Sequence, residues 1–182
     1  MCSIEKYREM NRLAKPGGVV FLGSDHLAEL PIAEIAASFN VSENIYNRSV
    51  PNLSIGEISE YLGVCVRELN PAKVFINLGD ADIKNGNVDV EDFVAKYEWL
   101  LYSIHMGSHA DIYIVSVLSR SPLAVKINSA LRRLAYDSGC AFIDITDVLD
   151  SETPDLRMFD IMKYYIRRRP IDFSDAMNTV TV

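Results

Sequence analysis

The stretch Ile112-Tyr113-Ile114-Val115-Ser116-Val117 decides the fold class. It is rich in β-branched and aromatic side chains, and it lacks the polar alternation of a strand with one wet face. A strand of this kind is buried on both faces, which is typical of a parallel sheet covered by helices. Four further runs predict the rest of the sheet, at residues 19–22, 44–47, 73–78 and 140–143, of which 44–47 is the weakest.

Patterns of helical period separate these runs. Apolar residues recur at helical spacing in residues 32–39, 55–69, 93–104 and 127–134, and a last helix is predicted at 156–169. Ser54 and Glu57 form a capping-box pattern, and Ser121-Pro122 suits a helix start. The alternation predicts one α/β domain over residues 1–182, a doubly wound, flavodoxin-like sheet of five parallel strands with helices on both faces.

Composition limits the classes of partner. The chain has 182 residues, 49% of them hydrophobic, which suffices for one core. Its formal charge of −7 and its pI near 4.9 would repel a phosphate backbone, so no nucleic-acid partner is expected. The basic run at residues 167–169 is interpreted as a solvated helix face.

Cysteine use and the N-terminal sequence bear on the compartment. Residues 1–15 are charged throughout, without the apolar centre of a signal peptide, and no segment approaches the roughly 20 apolar residues of a membrane span. The three cysteines, Cys2, Cys65 and Cys140, lack metal-ligand spacing. We therefore expect a cytoplasmic protein with reduced thiols, with no membrane partner, no metal and no cofactor.

The predicted sheet also locates a candidate site. In doubly wound sheets ligands bind outside the carboxyl ends of the strands, so the loops that follow the strands should meet at one crevice. These loops contain Gly23-Ser24-Asp25-His26, Asn47-Arg48-Ser49, Gly79-Asp80-Ala81-Asp82 and Ser119-Arg120-Ser121. His105 and His109 fall at the opposite edge, where Gly107 interrupts the helix that would align them for a metal.

The same segments resemble the sequence blocks of the SGNH (GDSL-type) hydrolases. Residues 20–25 are similar to the first block, an apolar strand followed by Gly-Asp-Ser, and Asn47-Arg48-Ser49 to the second, Asn-Arg-Gly. Residues 75–82 resemble the third block, a strand followed by Gly-x-Asn-Asp. Residues 113–118, Asn128-x-x-Leu131 and residues 141–144 resemble the later strands and helix, so the resemblance spans about residues 18–150 and leaves 151–182 as a divergent C-terminal helix and tail.

The positions that carry the chemistry of that family differ in this chain. The family's nucleophilic serine falls at Asp25, because Ser24 occupies the preceding aspartate position, and its oxyanion-hole glycine and asparagine fall at Ser49 and Ala81. The family's final Asp-x-x-His aligns with residues 155–158, which places Met158 at the histidine, and no histidine follows His109. A serine hydroxyl without an adjacent base is a weak nucleophile, and a carboxylate at position 25 opposes the charge of an oxyanion.

Three functional hypotheses follow. The first is an impaired SGNH-like protein that binds a small acyl-ester, carbohydrate or protein ligand in the crevice, which consists of Gly23, Asn47, Arg48, Ser49, Gly79, Asp80, Ala81 and Asp82. The second is an active carboxylic-ester hydrolase with a rearranged centre of Ser24, Asp25 and His26. The third is a structural subunit, a homo-oligomer among its forms, whose amphipathic C-terminal helix at residues 158–166 docks on a partner or a second copy.

Plainer interpretations stand beside these hypotheses. Ser24 is also a typical cap for the helix that follows the first strand, and His26 could cap the same helix or face the solvent. A phosphate-receiver domain shares the strand order and would use Asp80. It is disfavoured because Ser24-Asp25 replaces the acidic pair expected after the first strand and no lysine follows the fifth.

Overall fold

The computed structural model describes residues 3–86 and 88–167. Its strands are β1 (Val19–Gly23), β2 (Ile45–Asn47), β3 (Lys73–Asn77), β4 (Asp111–Val115) and β5 (Ala141–Ile143). Its helices are α1 (Ser3–Asn11), α2 (Asp25–Glu29), α3 (Ile32–Ser38), α4 (Ile58–Cys65), α5 (Asp80–Asn85), α6 (Val90–Gly107), α7 (Pro122–Asp137) and α8 (Pro154–Arg167), with 3₁₀ turns at Arg67–Leu69 and Thr146–Asp150.

The five strands are all parallel and lie in the order β2-β1-β3-β4-β5. This is the flavodoxin-like order, and it confirms the predicted fold class. The chain reverses its direction of winding between β1 and β3, where Gly23 pairs with Asn77 at the carboxyl ends of the two strands. The crevice therefore lies above this strand pair.

Helices cover both faces of the sheet. On one face, α4, α6 and α7 bury apolar side chains against β1, β3 and β4. On the other, α2, α3 and α8 pack over a row of stacked rings in which Phe75 lies between Phe21 and Tyr113, each with a centroid distance of 4.7 Å. The continuous apolar strands are explained by this arrangement, because every residue of β1 and β3 is buried.

Two strands end earlier than the sequence predicts. The prediction for the third strand ran to Leu78 and that for the fourth to Val117, whereas β3 ends at Asn77 and β4 at Val115. Side-chain amides take over from the ladder at this point. Asn77 Nδ2 donates to the Ser116 carbonyl at 2.8 Å, and Asn128 bonds both backbone groups of Val117.

Of the two helix starts predicted from the sequence, the one at Ser121 is confirmed and the one at Ser54 is not. Ser121 caps α7 by accepting a hydrogen bond from the Ala124 N–H, as its sequence predicts. Ser54 and Glu57 do bond to each other, but α4 begins only at Ile58, so the pair closes a turn ahead of the helix.

The last helix does not offer its apolar face to a partner. In α8, Met158, Phe159, Met162 and Ile166 are buried against the chain's own sheet and α3. The core already covers these four side chains, so they are not available to a partner, and docking of this helix through its exposed side stays a prediction. Arg168 and Arg169 of the predicted helix and basic run lie outside the described residues.

Candidate active-site crevice

Two short helices begin at the crevice, one after each central strand. Asp25 is the first residue of α2 and Asp80 the first residue of α5. The Ser24 N–H donates to the Asn77 carbonyl at 3.0 Å, which fixes the turn after β1 against the end of β3. Gly79 has a φ of +128°, and a Cβ there would lie 2.7 Å from Val117 Cγ2, so the turn into α5 depends on glycine.

Asp25 is an anchored carboxylate. Its Oδ1 accepts a hydrogen bond from the Asn52 N–H at 2.6 Å, and its Oδ2 forms an ion pair with Lys84 of α5. The hydrogen bond from Lys84, followed by that from Asn52, lowers the pKa of the Asp25 carboxyl. The side chain that stands where the resemblance places a nucleophile is thus an ion held by two partners.

His26 and Asp80 form a second pair beside the first. His26 Nε2 lies 3.9 Å from Asp80 Oδ1, and the imidazole is 39% exposed while the carboxyl is 5% exposed. Asp80 Oδ2 has no hydrogen-bond partner among residues 3–86 and 88–167. Burial raises the pKa of Asp80 even though His26 and Lys84 oppose the shift.

Ser24 is fully buried, and its Oγ has no hydrogen-bond partner in the described part of the chain. It occupies the cap position of α2 but makes no side-chain capping bond, so the plainer interpretation of this residue is not met. Nor does its hydroxyl bond to His26. Ser24, Asp25 and His26 are therefore neighbours in sequence, but the Ser24 hydroxyl is not hydrogen-bonded to either of the other two side chains.

The side chains of Asn47 and Ser49 hold the crevice in shape by bonding to the backbone around it. Asn47 Nδ2 donates to the Leu27 carbonyl at 2.6 Å, and Asn47 Oδ1 accepts from the Ser49 N–H at 3.1 Å. The Ser49 hydroxyl is buried and donates to the Phe21 carbonyl at 3.4 Å. The backbone N–H that the resemblance assigns to the oxyanion hole is therefore already bonded.

Arg48 does not line the crevice, contrary to expectation. Its side chain is buried beneath α1, where Nε and Nη2 donate to Asn11 Oδ1 at 3.1 and 2.9 Å. Its guanidinium lies over the rings of Tyr7 and Tyr46 at 5.2 and 5.4 Å. Arg48 thus attaches α1 to the end of β2. Its side chain points away from the crevice because successive side chains of an extended strand point to opposite faces.

Ala81 and Asp82 complete the third loop. Ala81 is buried and has no side-chain donor for an oxyanion. Both carboxylate oxygens of Asp82 accept from the Ile55 N–H, at 3.1 and 3.2 Å, which ties this loop to the segment after β2. Burial raises the pKa of Asp82, so its carboxylate is held at some electrostatic cost.

The remaining predicted residues lie at the rim or elsewhere. Arg120 forms an exposed ion pair with Asp150. His105 is in the last turn of α6, and both it and His109 are exposed. Within the described ranges, no three His, Cys, Asp or Glu side chains are grouped as metal ligands would be, and none of the helices there is long and apolar enough to span a bilayer.

The crevice brings two pairs of acid–base groups together. It combines a buried carboxyl next to an imidazole with a carboxylate next to an ammonium. Of the two donors that the resemblance assigns to an oxyanion hole, the Ser49 N–H already bonds to Asn47 Oδ1 and Ala81 has no side-chain donor. Lys84 and Asn52 were not predicted from the sequence. The only available signal was that Lys84 follows Asp80 by one helical turn and so shares its face of α5.

Comparisons with known proteins agree on the fold. No protein-family model and no curated protein matches the sequence. Among solved structures, a protein described as a platelet activating factor from Streptococcus pneumonia aligns with a TM-score of 0.77 at 20% identity, over 90% of this chain and 91% of that one. A protein described as an acylhydrolase from Bacteroides fragilis aligns with a TM-score of 0.71 at 17% identity, over 96% and 95%.

A GDSL-like lipase from Bacteroides thetaiotaomicron is similar over 98% of both chains, with a TM-score of 0.69 at 15% identity. The shared architecture extends over nearly the whole length of each protein. The chain has the SGNH (GDSL-type) hydrolase fold.

Proposed function

We propose that this protein has lost serine-esterase activity and uses the crevice to bind a small acyl-ester or carbohydrate ligand. The observation that carries the proposal is the state of Asp25, which is ion-paired to Lys84 and bonded by the Asn52 N–H. A carboxylate with both oxygens engaged is a structural anion, and it stands where a free serine hydroxyl would be needed.

For the loss of ester hydrolysis, the absence of suitable catalytic groups in the part of the chain that the structure describes matters more than charge repulsion by Asp25. An unpaired carboxylate about 4 Å from an oxyanion would cost about 4 kcal/mol at an effective dielectric near 20. Lys84 neutralises much of that charge, so the electrostatic penalty is smaller than the sequence alone implies. Among the described residues, the Ser24 hydroxyl is fully buried, and of the oxyanion donors that the resemblance implies, the Ser49 N–H is already bonded and Ala81 has no side-chain donor.

The crevice nevertheless suits a neutral polar ligand. The Lys84 ammonium is a donor with 60% of its side chain exposed, and the His26 imidazole is exposed enough to donate or accept. Acetylated sugars present the ester carbonyls and hydroxyls that such groups recognise. The similar structures described as an acylhydrolase and a lipase support an acyl-ester as the ligand class.

A second candidate is an active ester hydrolase with a rearranged centre of Ser24, Asp25 and His26. The pairing of His26 with Asp80 favours it, because a buried carboxyl beside an imidazole is how many enzymes orient a general base. Catalysis would require the Ser24 hydroxyl to leave its buried position and reach the imidazole.

Hydrolysis of p-nitrophenyl acetate separates the two candidates. We expect the wild type, Ser24→Ala and His26→Ala to show the same rate as the control His105→Ala, whose exposed imidazole lies outside the crevice. Turnover that is lost in Ser24→Ala and His26→Ala, but kept in His105→Ala, would establish the hydrolase instead.

Ligand binding needs a separate measurement. Titration with glucose pentaacetate, followed by ¹⁵N-amide shifts, should move the signals of Asp25, Asn52 and Lys84 in the wild type. The shifts should weaken in Lys84→Met. An unchanged spectrum at millimolar glucose pentaacetate would refute the acetyl-sugar part of the proposal.

A further inference from the structure

The outward face of α6 has an apolar stripe that the described part of the chain leaves in solvent. Trp99, Tyr102 and Met106 are 48%, 63% and 70% exposed, and Ala95 continues the stripe toward the helix start. The opposite face of α6 is buried in the core through Phe93, Tyr97, Leu100, Leu101 and Ile104. An exposed aromatic stripe of this kind marks an interaction surface.

We propose that this stripe packs against the same stripe of a second copy, with the two α6 helices antiparallel about a two-fold axis. The positions 95, 99, 102 and 106 are separated by four, three and four residues, which is the seam of a two-helix coiled coil. That spacing reads the same in both directions. An antiparallel partner therefore places Met106 opposite Ala95 and Tyr102 opposite Trp99, twice over.

A groove beside the stripe provides a place for the methionine of the second copy. Ile55 and Ile58 form one side of it, Ala95 and Trp99 the other, and its volume is about 380 Å³. In the antiparallel arrangement Met106 of the second copy lies level with Ala95, at the edge of this groove. Methionine is unbranched and flexible, so it fills irregular apolar gaps of this kind well.

The polar residues that flank the stripe favour the antiparallel direction. Glu98 and His105 flank the stripe on the same side, both are exposed, and neither forms an ion pair within residues 3–86 and 88–167. In the antiparallel arrangement, His105 of the second copy lies level with residue 96, about 3 Å along the axis from Glu98. Two Glu98–His105 contacts result. A parallel pair would instead place the acidic first turns, with Glu91 and Asp92, side by side.

The area of the α6 stripe determines how strongly the two copies are expected to associate. The stripe is about 16 Å long, so with its flanks it lies at the lower end of the roughly 1,200–2,000 Å² that specific interfaces bury. We therefore infer a dimer with a dissociation constant in the micromolar range.

Sedimentation velocity from about 1 to 500 μM tests the interface, and the monomer mass is 20.4 kDa. The wild-type mass should rise toward twice that value. Tyr102→Glu should weaken association more than about tenfold, because it buries a charge in the seam. Tyr136→Glu, at an 86% exposed tyrosine of α7, is the matched control and should associate like the wild type. A wild type that stays monomeric at the highest concentration, or a dimer that Tyr102→Glu leaves intact, would overturn the proposal.

Charge exchange tests the direction of pairing, and thermal melts show that the variants are folded. Glu98→Lys and His105→Glu should each weaken the dimer, and the double variant should regain most of the loss because a basic and an acidic side chain then face each other across the seam. Losses that simply add would refute the antiparallel pairing. Trp99 is the only tryptophan, so its emission should shift to the blue with concentration in the wild type and not in Tyr102→Glu.

Discussion

The ammonium of Lys84 is paired with the carboxylate of Asp25, which joins the start of α2 to the last turn of α5 across the mouth of the crevice. The same carboxylate accepts the Asn52 N–H. Three loops are thereby linked through one side chain. Asp25, which the resemblance places at the family's nucleophile position, links these loops through its carboxylate.

Removal of Lys84 should release the Asp25 carboxyl. The hydrogen bond from Lys84 is the largest cause of the lowered pKa of Asp25, so Lys84→Met should raise that pKa. ¹³C-carboxyl titration by NMR measures the change. Lys96→Met is the control, because Lys96 pairs with Asp92 on the exposed face of α6 and should leave Asp25 unaffected.

Lys84→Met should also change the free energy of unfolding, by an amount that depends on pH. A lowered pKa in the folded state contributes stability that is present above the unfolded value and lost as the pH falls through the folded value. Lys84→Met should therefore lower the free energy of unfolding at pH 7 by less than about 1 kcal/mol, since Lys84 is largely exposed, and should have no effect near pH 2. Equal losses at both pH values would mean that packing, not the ion pair, is responsible.

Asp80 should destabilise the folded protein at neutral pH. Burial raises its pKa, so the folded state favours the protonated form, and stability falls as the pH rises from the unfolded pKa through the folded one. Asp80→Asn mimics the protonated form. It should raise the free energy of unfolding by about 1 kcal/mol at pH 7 in urea denaturation, and the gain should vanish near pH 3.5.

Asp92→Asn is the matched control for that experiment, because its carboxylate is exposed on α6 and its ion-pair partner within the described ranges is Lys96. A loss of stability at pH 7 in Asp80→Asn would show that the pairing with His26 outweighs the burial of the charge. A residue that costs stability but remains in place is typical of functional sites.

Two glycines should respond to alanine in opposite directions. Gly79→Ala introduces a Cβ at a φ of +128°, 2.7 Å from Val117 Cγ2, and should cost about 2–4 kcal/mol. Gly63→Ala, in the exposed interior of α4 with no atom within 4 Å of the added carbon, should stabilise by about 0.5–1 kcal/mol. Chemical denaturation measures both. A neutral Gly79→Ala would show that the turn before α5 can relax.

Asn128 should be a strong determinant of stability because its amide replaces a strand partner. Its Oδ1 accepts from the Val117 N–H at 2.8 Å and its Nδ2 donates to the Val117 carbonyl at 3.0 Å. Asn128→Ala leaves both groups unpaired next to the buried Val117 and should cost about 2 kcal/mol in urea denaturation. Ser129→Ala, on the exposed side of α7, should change stability little, and a similar loss in both variants would contradict the account.

Most of the fold could be predicted from the sequence because its signals are local. Continuous apolar runs such as residues 112–117 require burial on both faces, and helical spacing between them leaves few topologies. The ends of β3 and β4 could not be predicted in this way. Leu78 and Val117 are as apolar as strand residues, and the side chains of Asn77 and Asn128, which bond to the backbone of Ser116 and Val117 there, are not part of an apolar pattern.

The site was less predictable because its contacts are distant in sequence. Lys84 is 59 residues from Asp25, and no spacing rule links them. Arg48 was assigned to the crevice by its place in a motif, whereas its direction depends on α1, which supplies Asn11 and Tyr7. The charged sequence of the N-terminal segment gave no indication that α1 would contact the Arg48 side chain.

The central claim is that no activated serine exists in this crevice, and labelling with a fluorophosphonate tests it most directly. Intact-protein mass spectrometry after prolonged incubation at pH 8 should show no adduct on the wild type, as on Ser24→Ala. A stoichiometric adduct that maps to Ser24 and disappears in Ser24→Ala would contradict the account.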